Sequence, residues 1–328
     1  MNGHQTKSAA REPVPADRLA AEMAGVERRL LETIESREPR LREIALYLIG
    51  AGGKRVRPLL AMAIFRACGG TDVRDMTDVA VALELIHSAT LLHDDIIDGG
   101  ETRRGRASAY VKFGSADTLV AGDFLFSKAF ELCGRFEETI VHWAAEACIA
   151  LTEGEIMQGR FRRNVAVTVS DYREIIRRKT ASLFRQGARV AAHLAGAEPE
   201  IVEALARCGN AIGMAFQVSD DLLDVEGDEQ RTGKPVGIDL RDGNPSLPIV
   251  LALPESDVLR RVWQATDASH EEIARGLEAI RASGNLPRVR EEAARYGGIA
   301  AEALAIVPDS PYRESLESLI RELRGRVF

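Results

Sequence analysis

The sequence predicts an all-α protein folded as one domain. Three observations carry that expectation. Apolar residues recur at helical spacing along most of the 328 residues. Alanine, leucine, arginine and glutamate are plentiful while aromatics make up only 5% of the chain, a composition that favours helix. Only Val165-Ala166-Val167-Thr168-Val169 alternates like a strand. A lone strand has nothing to pair with, so this stretch is read as a loop before the next helix.

Taken in order, residues 1–17 are polar, carry Pro13 and Pro15, and have no apolar run. They are expected to form a disordered tail rather than a signal peptide, leaving 18–328 as the single domain. From Arg18 to Gly50, Leu19, Met23, Val26, Leu30, Leu31 and Ile34 keep a helical period. Leu41, Ile44, Ala45, Leu48 and Ile49 resume it after Pro39. Gly52-Gly53 closes that run, and Pro58 suits the first turn of a helix from Leu59 to Cys68. Val79 to Leu92 is apolar nearly all round, broken mainly by Glu84, His87, Ser88 and Thr90, as befits a helix in the middle of a protein. Gly99-Gly100 ends it, and a basic loop from Glu101 to Arg106 follows. Leu119 to Cys133 and Ile140 to Met157 read as core helices. Asp171 with Glu174 gives a capping-box-like start to a helix reaching Ala195, and Glu200 to Val225 forms another. Glu226 to Pro248, with four glycines and three prolines, is irregular and long enough for a functional lid. Ile249 to Phe328 returns to helices, separated by Pro254, Gly284-Asn285, Gly297-Gly298 and Pro308.

A hydrophobic fraction of 45% supports a sizeable core. No stretch approaches the roughly 18 uninterrupted apolar residues of a membrane span. A net charge of -7 argues against a nucleic-acid partner. Cys68, Cys133, Cys148 and Cys208 lack metal-ligand or redox spacing and fit reduced core thiols in a cytoplasmic protein.

Two acidic runs stand out. Asp94-Asp95-Ile96-Ile97-Asp98 closes the apolar central helix, and Asp220-Asp221-Leu222-Leu223-Asp224 closes the helix after Glu200. Acids four apart share a helical face, and three on a buried helix end repel one another unless a cation joins them. A hard divalent cation is the simplest such partner. With 19 aspartates in the chain, chance gives roughly 0.06 copies of the pattern and two copies roughly 0.002 of the time. Cationic loops around Lys54, Arg103 and Lys234 complete a set suited to a polyanion held through metal ions. No Walker-type glycine loop is present, which argues against nucleotide phosphoryl transfer.

These runs, with Gly52-Gly53-Lys54-Arg55-Val56-Arg57-Pro58, Arg103-Arg104-Gly105, Lys179-Thr180 and Phe216-Gln217, resemble the trans-isoprenyl diphosphate synthase (polyprenyl synthetase) family over roughly residues 45 to 250. The resemblance implies a single large helical bundle around a central active-site cavity, a homodimer and dependence on magnesium, three ions per site. It also implies head-to-tail condensation of isopentenyl diphosphate onto an allylic diphosphate. By similarity, Asp94, Asp95, Asp98, Asp220, Asp221 and Asp224 hold magnesium on the allylic diphosphate, which Arg103, Lys179 and Lys234 also contact. Gly53, Lys54, Arg57, His87 and Arg104 form the isopentenyl diphosphate site, and Thr180 and Gln217 stabilise the allylic cation. Asn244 departs from the pattern, standing where many relatives carry Lys, and removes a cation at the cavity mouth.

Product length is expected from the residues before Asp94. Members of this family with short products commonly block the cavity with an aromatic four or five residues upstream; here Thr90 and Ala89 are small. One turn deeper, about 5.4 Å, lie Ile86 and Leu85. Phe126, Phe130 and Trp143 are the candidates for the floor. The expected product is octaprenyl diphosphate, for a quinone side chain, grown on a farnesyl or geranylgeranyl diphosphate primer. Geranylgeranyl diphosphate synthase and a non-catalytic subunit of a heteromeric synthase are the rival readings. A class I terpene cyclase would lack the Lys54/Arg57 site.

Overall fold

A computed structural model describes residues 15–227 and 236–325. Helix α1 (Pro15–Thr33) begins three residues before the expected Arg18, and α2 (Pro39–Ile49) has Pro39 in its first turn and Glu38 accepting from the Arg40 amide. The next helix, α3 (Val56–Ala67), starts two residues before Pro58, from a left-handed Arg55 (φ 45°). The central helix α4 (Val73–Ile97) is longer than its apolar stretch, because Asp72 caps its start and the acidic run forms its last turn.

Beyond α4 lies one departure from all-helix. Thr102–Arg103 (β1) and Arg106–Ala107 (β2) pair antiparallel, joined by Arg104 (φ 52°) and Gly105 (φ 76°). Two left-handed residues in a two-residue turn match the right-handed twist of a hairpin. Tyr47 of α2 braces this hairpin, its hydroxyl donating to the Ala107 carbonyl at 2.8 Å.

Helices α5 (Ala109–Phe113), α6 (Ser115–Cys133) and α7 (Glu138–Phe161) follow, with α6 lying along α4. Residues 164–168 form a loop, as expected, and α8 (Val169–Ile176) starts from a capping box. The box is Thr168 with Asp171, three residues earlier than the Asp171–Glu174 pairing read from sequence. A five-residue π-turn, Arg177–Ala181, joins α8 to α9 (Ser182–Leu194). Then come α10 (Pro199–Glu226), a short α11 (Ile238–Asp242) within the expected irregular stretch, α12 (Leu247–Ala252), α13 (Asp257–Gln264), α14 (His270–Ala282), α15 (Leu286–Leu304) and α16 (Pro311–Gly325).

The buried side chains form two apolar clusters. One gathers α1 to α7, α9, the first half of α10, the end of α15 and α16; the other gathers α8, the second half of α10, α11 to α14 and the first half of α15. Gly209 and Gly213 allow α10 to meet the α8–α9 run closely where the clusters join. A Cβ on Gly213 would lie 2.6 Å from the Ala181 Cα, and one on Gly209 2.5 Å from the Phe184 carbonyl oxygen. That contact sets the second acidic run opposite the end of α4.

Candidate active site

The two acidic runs end α4 and α10, as the periodicity predicted, and Lys179 and Thr180 sit on the π-turn between them. A π-turn holds one extra residue in a helical turn and widens it, a geometry common at functional sites. Gly154 of α7 makes room for it, since a Cβ there would lie 2.5 Å from the Lys179 amide nitrogen. Lys179 Nζ thereby reaches Glu155 and, at 3.6 Å, Asp94. Burial alone would lower the lysine's pKa, but Asp94 and Glu155 keep it raised and the ammonium charged.

Each acid of the first run has a cationic neighbour. Arg103 reaches Asp95 Oδ1 at 2.6 Å from the hairpin, and Arg162, just past α7, reaches Asp98 Oδ1. Burial pushes the Asp94 carboxyl up to about 7, with Glu155 and Asp98 adding repulsion against Lys179. Asp95 also rises through burial. Its second oxygen is buried with no hydrogen-bond partner.

The second run is built differently. Asp221 Oδ2 accepts from the Tyr172 hydroxyl (2.6 Å) and the Leu247 amide (3.0 Å), and Oδ1 from Gln217 Nε2 (2.9 Å). Asp224 accepts from the Ile238 and Asp239 amides at 3.0 and 3.1 Å, holding the start of α11. Burial raises these carboxyls to about 7 and about 6. Asp220 is exposed and has no hydrogen bond or ion pair among the described residues. Asp239 is raised well above the usual range by burial and the nearby Asp224.

About two turns earlier along α4 lies a basic pocket. His87 stands seven residues before Asp94, hence on nearly the same face and about 10 Å away along the axis. Burial, with Arg57 and Arg104 nearby, holds the His87 pKa well below its usual value, so the ring is neutral. Arg57 lies over the Phe184 ring at 4.7 Å, its Nε buried without a partner, and burial lowers it to about 10. The bare backbone of Gly53 admits the Arg104 guanidinium, which a Cβ would approach to 3.0 Å. Arg55 is instead neutralised, at 2.5 Å from Glu27 and 2.6 Å from the buried Glu84. This separates it from Arg57, whose Nε has no hydrogen-bond partner.

Thr180 Oγ1 donates to Gln217 Oε1 at 2.8 Å, so the two residues named together from sequence are in contact. Lys234 lies outside the described residues. Asn244 Oδ1 accepts from Gln158 Nε2 (3.2 Å) and Arg162 Nε (3.1 Å). Glu155, Gln158, Arg162 and Tyr172 were not singled out from sequence. Glu155 and Gln158 left no distinct trace, since α7 also carries Glu138, His142, Glu146, Glu153 and Arg160.

Below Ala89 and Thr90 a small apolar cavity of about 30 Å³ is lined by Val79, Leu83, Ile86, Ile140, Ala144 and Leu183, among others. At about 100° per residue, Val79, Leu83, Ile86 and Thr90 fall on one stripe of α4, with Ala89 turned to its edge. The expected floor residues lie elsewhere. Phe130 faces outward at 42% exposure, Phe126 packs against His93, and Trp143 packs against His193 beneath Arg189. An open groove at the far end of α4 also gathers arginines, but Arg18, Arg29, Arg74 and Arg135 there pair with Glu22, Asp78, Asp72 and Asp75.

Paired acidic helix ends, facing cations and a separate basic pocket are the arrangement that the motif resemblance implied. A polyprenyl synthetase family profile matches residues 38–280. The chain belongs to the polyprenyl synthetase family. It is 36% identical to the octaprenyl diphosphate synthase of Escherichia coli K12 over 306 residues, 92% of this chain and 94% of that one. It is also 36% identical to a short chain isoprenyl diphosphate synthase of Methanothermobacter thermautotrophicus, over 90% of this chain and 93% of the relative. Among solved structures, a polyprenyl synthase from Caulobacter crescentus CB15, complexed with calcium and isoprenyl diphosphate, superposes with a TM-score of 0.89 at 36% identity, covering 96% of this chain and 99% of that one. The polyprenyl synthetase bundle is thus this chain's fold, and its activity is that of the family, a trans-prenyltransferase forming a polyprenyl diphosphate. Equal identity to an octaprenyl and a short-chain enzyme leaves product length to the cavity. No helix among the described residues is long and apolar enough to cross a membrane.

The carboxylates fit a hard divalent ion: Asp95 has a buried oxygen without a donor, and Asp94 and Asp95 are raised by burial. Among the described residues no three potential ligands converge to hold an ion alone. An ion held there would take its remaining ligands from water or a bound ligand.

Proposed function

We propose that this chain condenses isopentenyl diphosphate head-to-tail onto farnesyl or geranylgeranyl diphosphate, giving an all-trans product of octaprenyl length. The single observation that carries the reading is the division of charge about α4. Acids and their cations surround its C-terminal end, and the cationic pocket of Lys54, Arg57, His87 and Arg104 lies about two turns earlier. Two diphosphates therefore have separate places, with their hydrocarbon parts meeting over one helix.

Asp94, Asp95, Asp98 and Asp220 would hold magnesium, with Asp221 and Asp224 fixing the end of α10 that carries Asp220. Bound magnesium neutralises charge on the departing diphosphate. Arg103, Lys179 and Lys234 meet the same oxygens, and they act mainly as the allylic C–O bond breaks. Gly53 keeps the backbone clear of Arg104, while the neutral His87 can donate one N–H. Thr180 and Gln217 use their donors on Gln217 and Asp221, so their oxygens keep lone pairs suited to a carbocation. The C3=C4 bond of isopentenyl diphosphate attacks that cation, and the released diphosphate takes the proton. An apolar cavity keeps water from the cation.

Small residues at Ala89 and Thr90 and the apolar stripe down to Val79 support a product longer than farnesyl. Thr90→Phe should shorten the product and leave condensation intact, with Ala89→Phe acting less because Ala89 sits at the stripe's edge. An unchanged product distribution in both would sink the tunnel argument. A homodimer in the cytoplasm completes the reading. Leu119 and Phe130 on α6, and Ile149 and Ile156 on α7, are exposed apolar residues on outer faces, Ile156 at 67%. Sedimentation of the wild type as a monomer would remove the dimer.

The deciding experiment incubates the purified protein alone with farnesyl diphosphate, isopentenyl diphosphate and magnesium. Product sizing should give octaprenyl diphosphate. A geranylgeranyl product would replace the length assignment, and no product without a second protein would make the chain a subunit.

A further inference from the structure

The end of α7 carries two consecutive arginines that turn opposite ways. Arg162 leaves the helix with extended backbone (φ -58°, ψ 127°), and Arg163 is left-handed (φ 55°). Arg163 is used up on backbone. Its side chain donates to the Trp263 carbonyl at 3.3 Å, to that of Ala265, and to that of Arg241 at 2.7 Å. Its own N–H donates to the Gly243 carbonyl at 3.0 Å. Gly243 has to be glycine, since a Cβ would lie 2.5 Å from Arg163 Cγ at φ 76°. These bonds lock the segment before Asn244 to the end of α7.

Arg162 points the other way, toward Asp98 at the end of α4. Its Nε donates to Asn244 Oδ1 at 3.1 Å and its NH2 donates to Asp98 Oδ1. Gln158 Nε2 donates to the same amide oxygen at 3.2 Å. A neutral amide therefore positions the guanidinium without cancelling its charge, and Asp98 is the one anion paired with it among the described residues. A carboxylate engaged by a metal-bound diphosphate has less charge to share. The planar fork of Arg162 then faces the diphosphate with one edge held and another available.

We infer that Arg162 is a further contact for the allylic diphosphate, fixed by Asn244 and Gln158, and that it supplies the cation missing at position 244. This rests on the prenyltransferase reading above. The two positions are alternatives: a lysine at 244 would replace the Oδ1 acceptor that Arg162 Nε now uses at 3.1 Å with an apolar stem, and would bring a second cation beside the guanidinium, where like charges repel. One cation at the mouth is kept, carried by the other partner of the contact.

The test compares wild type with Arg162→Gln, Arg162→Lys, Asn244→Lys and the double variant Arg162→Gln/Asn244→Lys. Melting temperature checks that each is folded, and calorimetry measures inorganic diphosphate binding with magnesium. Arg162→Gln should raise KM for the allylic diphosphate and weaken inorganic diphosphate by about tenfold or more, as for loss of a charged hydrogen bond. KM for isopentenyl diphosphate should not move. Arg162→Lys should fall between, and the double variant should recover most of the loss while Asn244→Lys alone does not improve on wild type. Equal shifts in both KM values, unchanged diphosphate affinity, or no recovery in the double variant would overturn the assignment. Absence of prenyl transfer by the wild type would instead remove the underlying reading.

Discussion

The two acidic runs share one spacing and have opposite surroundings. In the first, Asp94, Asp95 and Asp98 face Lys179, Arg103 and Arg162, charged groups on three different elements. In the second, Asp221 and Asp224 face a phenol, an amide side chain and three backbone N–H groups. Side-chain ion pairs can exchange partners when a charged ligand arrives, whereas backbone donors stay where the fold puts them. The contrast teaches that one pattern serves two tasks. The first run is an exchangeable electrostatic site. The second anchors α11 and α12 and leaves Asp220 exposed.

The most severe way to probe this difference is to remove Asp94. Asp94→Ala should lower turnover by orders of magnitude while the melting temperature stays near wild type, since Lys179 keeps Glu155. Near-normal isopentenyl incorporation would remove the metal assignment. Next comes the second run. Asp221→Ala strands the buried Tyr172 hydroxyl and Leu247 N–H and should cost about 3 kcal/mol in urea unfolding. Asp220→Ala should stay within about 0.5 kcal/mol yet impair turnover. Equal destabilisation by both would erase the division of labour. A finer cut is Tyr172→Phe, expected to cost about 1.5 kcal/mol with turnover changed only a few-fold.

The smallest effect concerns pH. Asp94 and Asp221 are both held up at about 7 by burial. Their folded pKa values exceed the unfolded value of about 3.9, so the folded state binds more protons across that window. Stability therefore falls as pH rises from about 4 through 7. In chelator, the melting temperature should drop by a few degrees between pH 5 and pH 8. Magnesium with inorganic diphosphate should restore more of it at pH 8 than at pH 5, and Asp94→Asn should blunt that recovery more than Asp221→Asn. A melting temperature that climbs with pH in chelator would contradict the burial of these acids.

Much of this was legible from residue order. Helical periodicity located the helices, and the repeated spacing located both acidic ends, because those signals are local. The partners of Asp221 and Asp224 were not legible: Tyr172 and Leu247 lie 49 and 26 residues from Asp221. Arg162 was hidden for a related reason, since a basic residue ending a helix reads as solvated until Asn244, 82 residues on, is seen against it. The hairpin escaped notice because Arg104, a residue with a Cβ, takes the left-handed turn position that glycine usually marks. The directions of Phe126, Phe130 and Trp143 were not legible either, because aromatic bulk on α6 and α7 says nothing of which way it points.

The wide turn at Arg177–Ala181 acts as a phase shifter. On its near side, Tyr172 and Ile176 belong to one apolar cluster; on its far side, Leu183, Phe184 and Ala188 belong to the other. A regular helix would carry a single stripe past both clusters and fit only one. One surplus residue rotates α9 relative to α8 by about 100°, letting a single run of chain keep step with two cores. Deleting a residue there would leave every side chain in place along the sequence and put one half of the run out of step with its neighbours, Lys179 and Thr180 with it.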